Sequence, residues 1–176
     1  MAKSIVLLRH TDNDGDVLSP HGMAAAVALG RALDGDFRLA ASTGAQRATQ
    51  TLACLLAGMG RTIPGGVVVE DGLRSQDEDR WRSIYQQAGG GELADFCRVA
   101  PDFVEAEAKV LGAALQRIAD RLADGQRALV VGHSPTNEAA VLGFSGNAIP
   151  SLGKGEGVEL IIDGDQVTVT PLTPEP

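Results

Sequence analysis

The hydrophobic positions fall into a few short unbroken runs, separated by longer stretches in which apolar residues recur every three or four places. Ile5-Val6-Leu7-Leu8 is the first run. It stops abruptly at Arg9-His10-Thr11 and the polar, turn-forming Asp12-Asn13-Asp14-Gly15-Asp16. Phe37 to Ser42, Val67 to Val69 and Ala128 to Val131 repeat the pattern. Such runs, bounded by turn residues, read as strands buried on both faces of a parallel sheet. Ser19-Pro20 opens a first helix, with serine at the N-cap and proline at the first helical position, and Asp34-Gly35 closes it. Met23, Val27, Gly30 and Leu33 are its expected core face. A second helix starts within Thr43 to Thr51 and ends near Gly58 to Gly60.

Beyond the third run, Glu70 to Arg82 is dense in charge and reads as a loop, with short helices over 83–88 and 92–99. The longest helix spans roughly 103–123, where Val104, Leu111, Leu115, Ile118 and Leu122 keep helical spacing. Gly132-His133-Ser134-Pro135 ends the fourth run, and a helix follows from about Thr136 to Phe144. Val158 to Ile162 and Val167 to Thr170 form a terminal hairpin around Asp163-Gly164-Asp165. The alternation predicts a three-layer α/β/α sandwich. Its mostly parallel sheet has strands near 4–8, 37–41, 67–69 and 127–132 in the middle and the hairpin near 158–170 at one edge. Residues 1–170 are expected to form one domain and 171–176 a disordered tail.

Composition narrows the function classes. The chain has 176 residues and a formal net charge of −8, which argues against nucleic acid or an anionic membrane as partner. A local arginine cluster can still hold a small phosphorylated ligand. Aromatic residues make up only 3%, so the core must be built from Ala, Leu and Val. No apolar run has membrane-spanning length and the start lacks a signal-peptide shape, so a cytoplasmic protein is expected. Cys54 and Cys97 form no CxxC pair and read as free thiols. No ligand spacing suggests a metal, and no cofactor is expected. Asp12 to Asp16 lacks the spacing and terminal Glu of a calcium loop.

The chemistry gathers at the strand ends. Ligands in open α/β sheets bind beyond the carboxyl ends of the strands. His10 and His133 both follow such strands, with Arg9 beside the first. Arg47 lies in the first turn of the second helix, where a cation is disfavoured unless an anion binds nearby. His21, also in a first turn, reads as an exposed histidine. Two histidines and two arginines converging on one edge suit phosphoryl transfer through histidine.

These segments resemble those of the histidine phosphatase superfamily, the phosphoglycerate-mutase-like enzymes. Leu7-Leu8-Arg9-His10-Thr11 resembles the family's R-H-G strand end, and Leu18-Ser19-Pro20-His21-Gly22 its L-T-x-x-G helix start. Thr43 to Thr51 resembles its S-P-x-x-R-A-x-Q-T segment, and Val131-Gly132-His133 its second histidine. The four occur in family order. The resemblance implies a hydrolase for phosphoric monoesters. His10 would be the phosphorylated nucleophile, with Arg9, Arg47 and His133 binding the phosphoryl group. The substrate would be a small phosphorylated metabolite or a phosphohistidine protein. The short length is similar to that of bacterial phosphohistidine phosphatases, implies an open site and disfavours mutase activity. A weakly active phosphate-binding regulatory module is the alternative of another class. Nothing in the pattern sets an oligomeric state.

Four departures stand out. Thr11 replaces the usual Gly and Gly44 the usual Pro, and Asp16 falls where an Asn is common. Ser75 occupies the place of the Glu that commonly donates the proton in an L-x-E segment. Glu78 is the expected substitute, followed by Asp77 and then Glu70.

Overall fold

The structure, a computed structural model, describes residues 1–172. Its sheet has six strands: β1 (Lys3–Arg9), β4 (Leu39–Ser42), β5 (Val67–Val69), β6 (Arg127–Gly132), β7 (Gly157–Asp163) and β8 (Gln166–Pro171). The order is β5-β4-β6-β1-β7-β8, with the first four parallel and the last two antiparallel. A two-stranded ribbon, β2 (Asn13–Asp14) with β3 (Val17–Leu18), follows β1. The sequence reading took that stretch for a turn alone. Six α-helices complete the described chain: α1 (Pro20–Ala32), α2 (Gln46–Met59), α3 (Glu78–Ala88), α4 (Leu93–Val99), α5 (Pro101–Asp120) and α6 (Thr136–Ser145).

Side-chain alternation along the strands builds three layers. Ile5, Leu7, Ala41, Ala128 and Val130 pack on α3 to α6, in a cluster with Trp81, Phe96, Leu111, Leu115 and Val141. Val6, Leu8, Ala40, Leu129 and Val131 face the other way, against Ala48, Leu52 and Leu55 of α2, with Leu29 and Leu33 at the margin. β1 and β6 are central strands and therefore apolar on both faces, as the unbroken runs require.

Four expectations need correction. Val67–Val69, expected as a doubly buried strand in the middle of the sheet, is the edge strand β5, with Val67 and Val69 exposed. Of the expected core face of α1, Gly30 is buried and Leu33, just past its end, packs on the core, but Met23 is 42% exposed and the other buried positions are Gly22 and Ala26. The helix meets α2 through its smallest residues because the backbones touch: a Cβ on Gly30 would collide with the Leu55 carbonyl oxygen. A search for large apolar residues therefore misses Gly22 and Ala26. The charged stretch after β5 is more ordered than a loop. A 3-10 turn covers Asp71–Leu73, and α3 begins at Glu78 rather than near 83. Asp77 caps α3 by accepting the Arg80 N–H at 3.2 Å. Of the disordered tail expected at 171–176, the first two residues are ordered: Pro171 ends β8 and the Leu172 N–H donates to the Gly157 carbonyl at 3.0 Å. The remainder, 173–176, lies outside the described residues.

The α1–α2 contact makes a prediction. Gly30→Ala should destabilise the fold by about 1–3 kcal/mol, because the helices must part. Met23→Ala should stay within about 0.5 kcal/mol, as a surface change. Urea unfolding of both variants checks the pair. Equal losses would restore Met23 to the core.

Candidate functional site

The parallel register of β1 and β6 puts the two histidines side by side. Arg9 is opposite Gly132, so His10 and His133 are the next residues on adjacent strands, and the His10 N–H donates to the Gly132 carbonyl at 3.0 Å. Their ring centroids are 5.3 Å apart. On the far side of β6, Ser42 of β4 pairs with Val131, which brings Thr43 beside His133. Thr43 Oγ1 lies 2.7 Å from His133 Nε2.

Both imidazoles are buried. Burial pushes His10 down to about 4, helped by the positive charges of Arg47, Arg9 and Lys154 and opposed by its bond to Thr11. Burial likewise pushes His133 down to about 3, with Arg47 next in effect. Both rings are therefore neutral at pH 7. His10 Nδ1 sits 2.8 Å from the Thr11 carbonyl oxygen, which can only accept. Nδ1 thus carries the hydrogen, and Nε2 holds the free lone pair.

The residues around His10 form a connected set of hydrogen bonds and close contacts. Thr11 Oγ1 donates to the Gly22 carbonyl at 2.8 Å, and the Thr11 N–H donates to Thr51 Oγ1 at 3.2 Å. Gln50 Oε1 accepts the Leu18 N–H at 2.8 Å. Ser19 caps α1 by accepting the Gly22 N–H at 3.0 Å and donates to Asp12 Oδ2 at 2.6 Å. Gly22 must lack a side chain, because a Cβ there would strike the Asp12 carbonyl. The loop after β1 is held against α1 and α2 at several points.

Arg47 is the second residue of α2, whose start has no side-chain cap and no acidic residue in its first turn. An open helix start with an arginine on it attracts an anion. The structure supplies one from the chain itself: Asp16 Oδ1 lies 2.8 Å from an Arg47 guanidinium nitrogen. Burial resists charge on Asp16, but the Arg47 backbone and guanidinium outweigh it and hold the carboxyl below its usual range. Arg9 donates to the Leu152 carbonyl at 2.7 Å.

A cavity of about 300 Å³ opens from Arg47 and His133 toward α3. Arg74, Ser75, Glu78, Trp81 and Tyr85 line its other wall. Trp81 anchors that wall by donating to Glu107 on α5 at 2.9 Å and by edge contacts with Phe96 and Phe103. The site is thus bounded by α3 on one side, which the sequence reading had not anticipated. Of the three candidate acids only Glu78 lines this cavity. It sits in the first turn of α3, with Arg74 Nε donating to it at 2.6 Å. Asp77 is engaged as the α3 cap, and Glu70 accepts from Arg117 at 2.8 Å. His21 is exposed, as expected.

The reading from sequence missed Arg74, the aromatic wall and Glu138, a buried carboxylate on α6. The wall had a signal: Asp77 followed by Glu78 and Asp79 is a helix-start pattern, which puts Trp81 and Tyr85 on one face. Glu138 had none, because nothing in Thr136-Asn137-Glu138 announces burial of an acid.

Known proteins can now be set beside this geometry. The solved phosphoglycerate mutase of Bacillus anthracis str. Sterne matches with a TM-score of 0.73 at 15% identity, over 97% of this chain and 92% of its own. A phosphoserine phosphatase of Entamoeba histolytica, solved with 3-phosphoglyceric acid, matches at 0.67 and 15%, over 98% of each chain. The protein histidine phosphatase SixA, solved with tungstate, matches at 0.61 and 18%, over 95% of this chain and 94% of its own. At such identities the likeness is one of fold. No curated protein matches the chain in sequence. The family model described as histidine phosphatase superfamily (branch 1) matches residues 3–154, a span that holds both strand-end histidines and both arginines. With that match over most of its length, the chain belongs to the histidine phosphatase superfamily.

Proposed function

We propose that this protein is a phosphatase that hydrolyses a phosphomonoester through a phosphohistidine on His10. The observation that carries the reading is the bond from His10 Nδ1–H to the Thr11 carbonyl, which leaves Nε2 as a neutral, oriented nucleophile. The Nε2 lone pair attacks phosphorus in line as the bond to the leaving oxygen breaks. Arg9 and Arg47 hold non-bridging oxygens, and His133 hydrogen-bonds a phosphoryl oxygen as charge develops. Glu78 gives its proton to the leaving oxygen. Water then attacks the phosphorus of the phosphohistidine and passes a proton to Glu78, and the N–P bond breaks. One water is consumed, an alcohol and inorganic phosphate are released, and His10 is neutral again. An incoming phosphate dianion competes with Glu78 for the Arg74 guanidinium, which lines the same cavity.

The walled cavity supports a small phosphorylated metabolite, since its volume suits an organic leaving group. Ser75 supports a second reading, a phosphohistidine protein as substrate, because a good leaving group needs little help from an acid. The Asp16–Arg47 pair supports the slower, phosphate-binding alternative. A nucleic acid or a membrane fits neither the charge nor the cavity.

The nucleophile is tested by rapid quench with a labelled aryl phosphate. An acid-labile, base-stable phosphoenzyme should form in the native protein and be absent in His10→Ala. Arg47→Ala should lower kcat/KM by about 100-fold or more. Full turnover in His10→Ala would remove the assignment.

Glu78 is tested by leaving-group dependence. Glu78→Gln should slow an alkyl phosphate at least about 10-fold more than an aryl phosphate, since only the basic alkoxide needs the proton. Equal small losses would exclude Glu78 and favour the phosphohistidine reading.

The depressed histidines also tie stability to pH. The unfolded chain takes up protons on these rings near 6.5, whereas the folded chain refuses them until about 4 and about 3. Stability from this source is present above 6.5 and is lost as pH falls through that window. The melting temperature should therefore drop between pH 6.5 and 4 by less in His133→Gln than in the native protein. Parallel curves would show that His133 is not held neutral by the fold.

A further inference from the structure

Glu138 is the third residue of α6 and is 1% exposed, the only carboxylate among the described residues to be classed as buried. Burying a charge is costly unless it is well partnered. Burial accordingly raises the pKa of this carboxyl, opposed by its hydrogen bonds and by the charge of Arg9. Its partners lie at the heart of the site. Oε1 accepts the Ser134 hydroxyl, next in sequence to His133, and the Leu152 N–H at 2.8 Å. The carbonyl of the same Leu152 accepts Arg9 at 2.7 Å. Residue 152 is thus gripped by the carboxylate at its N–H and by the guanidinium at its carbonyl. Oε2 of Glu138 and Nε of Arg9 are both buried without a partner, and Glu138 is the strongest attraction acting on the Arg9 guanidinium.

One carboxylate therefore ties together the flanks of both histidines: Ser134 beside His133 directly, and Arg9 beside His10 through residue 152. We infer that Glu138 is a positioning residue that fixes the Arg9 guanidinium in the phosphoryl-binding geometry through the backbone of residue 152. The inference rests on the reading of Arg9 as an oxyanion ligand. Reach, rather than charge, is what the geometry demands. Gln retains an acceptor at the same distance along the side chain, whereas Asp keeps the charge but is one methylene too short to bridge Ser134 and Leu152.

The test uses the full chain and tungstate, a phosphate mimic whose binding needs no turnover, with affinity measured by calorimetry. Glu138→Asp should weaken tungstate by about 10-fold, equivalent to about 1.4 kcal/mol, while Glu138→Gln should stay within about threefold. In an Arg9→Ala background neither change should alter affinity by more than about twofold, because the residue being positioned is gone. kcat/KM for an aryl phosphate should follow the same order. A loss in Glu138→Gln with retention in Glu138→Asp would overturn the inference in favour of a purely electrostatic role. Losses that persist undiminished without Arg9 would overturn it in favour of general support of the fold. Native protein that binds no tungstate would overturn the reading of the site itself, and the inference with it. Tight native binding with an unaffected Glu138→Asp would overturn the inference alone.

Discussion

Hydrogen-bonded pairing between β1 and β6 is the constraint from which the site follows. Their parallel register is fixed by apolar side chains on both faces, since a slip of one residue would exchange the two cores. With Arg9 opposite Gly132, the two histidines must emerge together at the carboxyl edge. Burial there removes their charge, and one carbonyl selects the tautomer of His10. Architecture therefore sets the protonation state as well as the position of the proposed nucleophile.

The charges around the edge are arranged in pairs. Arg47 faces Asp16, Arg74 faces Glu78, and Asp12 faces Lys154. These pairs are part-exposed, and each adds little to stability. Under the proposed function their effect is on the ligand: an entering oxyanion would find the outer cations already neutralised and would have to exchange with a carboxylate. Arg9 differs, because the carboxylate nearest to it in effect, Glu138, is buried, and the Leu152 backbone lies between them, donating to Glu138 and accepting from Arg9.

Legibility in the sequence followed physical cause. Buried parallel strands write continuous apolar runs, so β1 and β6 were placed almost to the residue, and the sheet edge bearing His10 and His133 came with them, whereas the similar run Val67–Val69 belongs to an exposed edge strand. Arg47 was legible because a cation at a helix start is out of place electrostatically. What stayed hidden depended on close approach or on long-range partners. The Gly22 and Ala26 positions of the α1 core face are invisible to a search for large side chains. The face that α3 turns to the cavity was masked by a stretch whose charges look like a loop. Glu138 is polar by identity, and its partner Leu152 comes from an irregular segment beyond the end of α6.

Trp81 is the only tryptophan in the sequence, and it stands in the cavity wall. The anchor that fixes α3 is therefore also the molecule's sole indole fluorophore, 2.9 Å from a carboxylate and packed edge-on against two phenyl rings. Its emission reports on one place alone. Entry of a ligand, release of α3 and loss of the surrounding core each change the indole's surroundings differently, so the optical signal of this protein is a local readout of the compartment where the chemistry is proposed to occur.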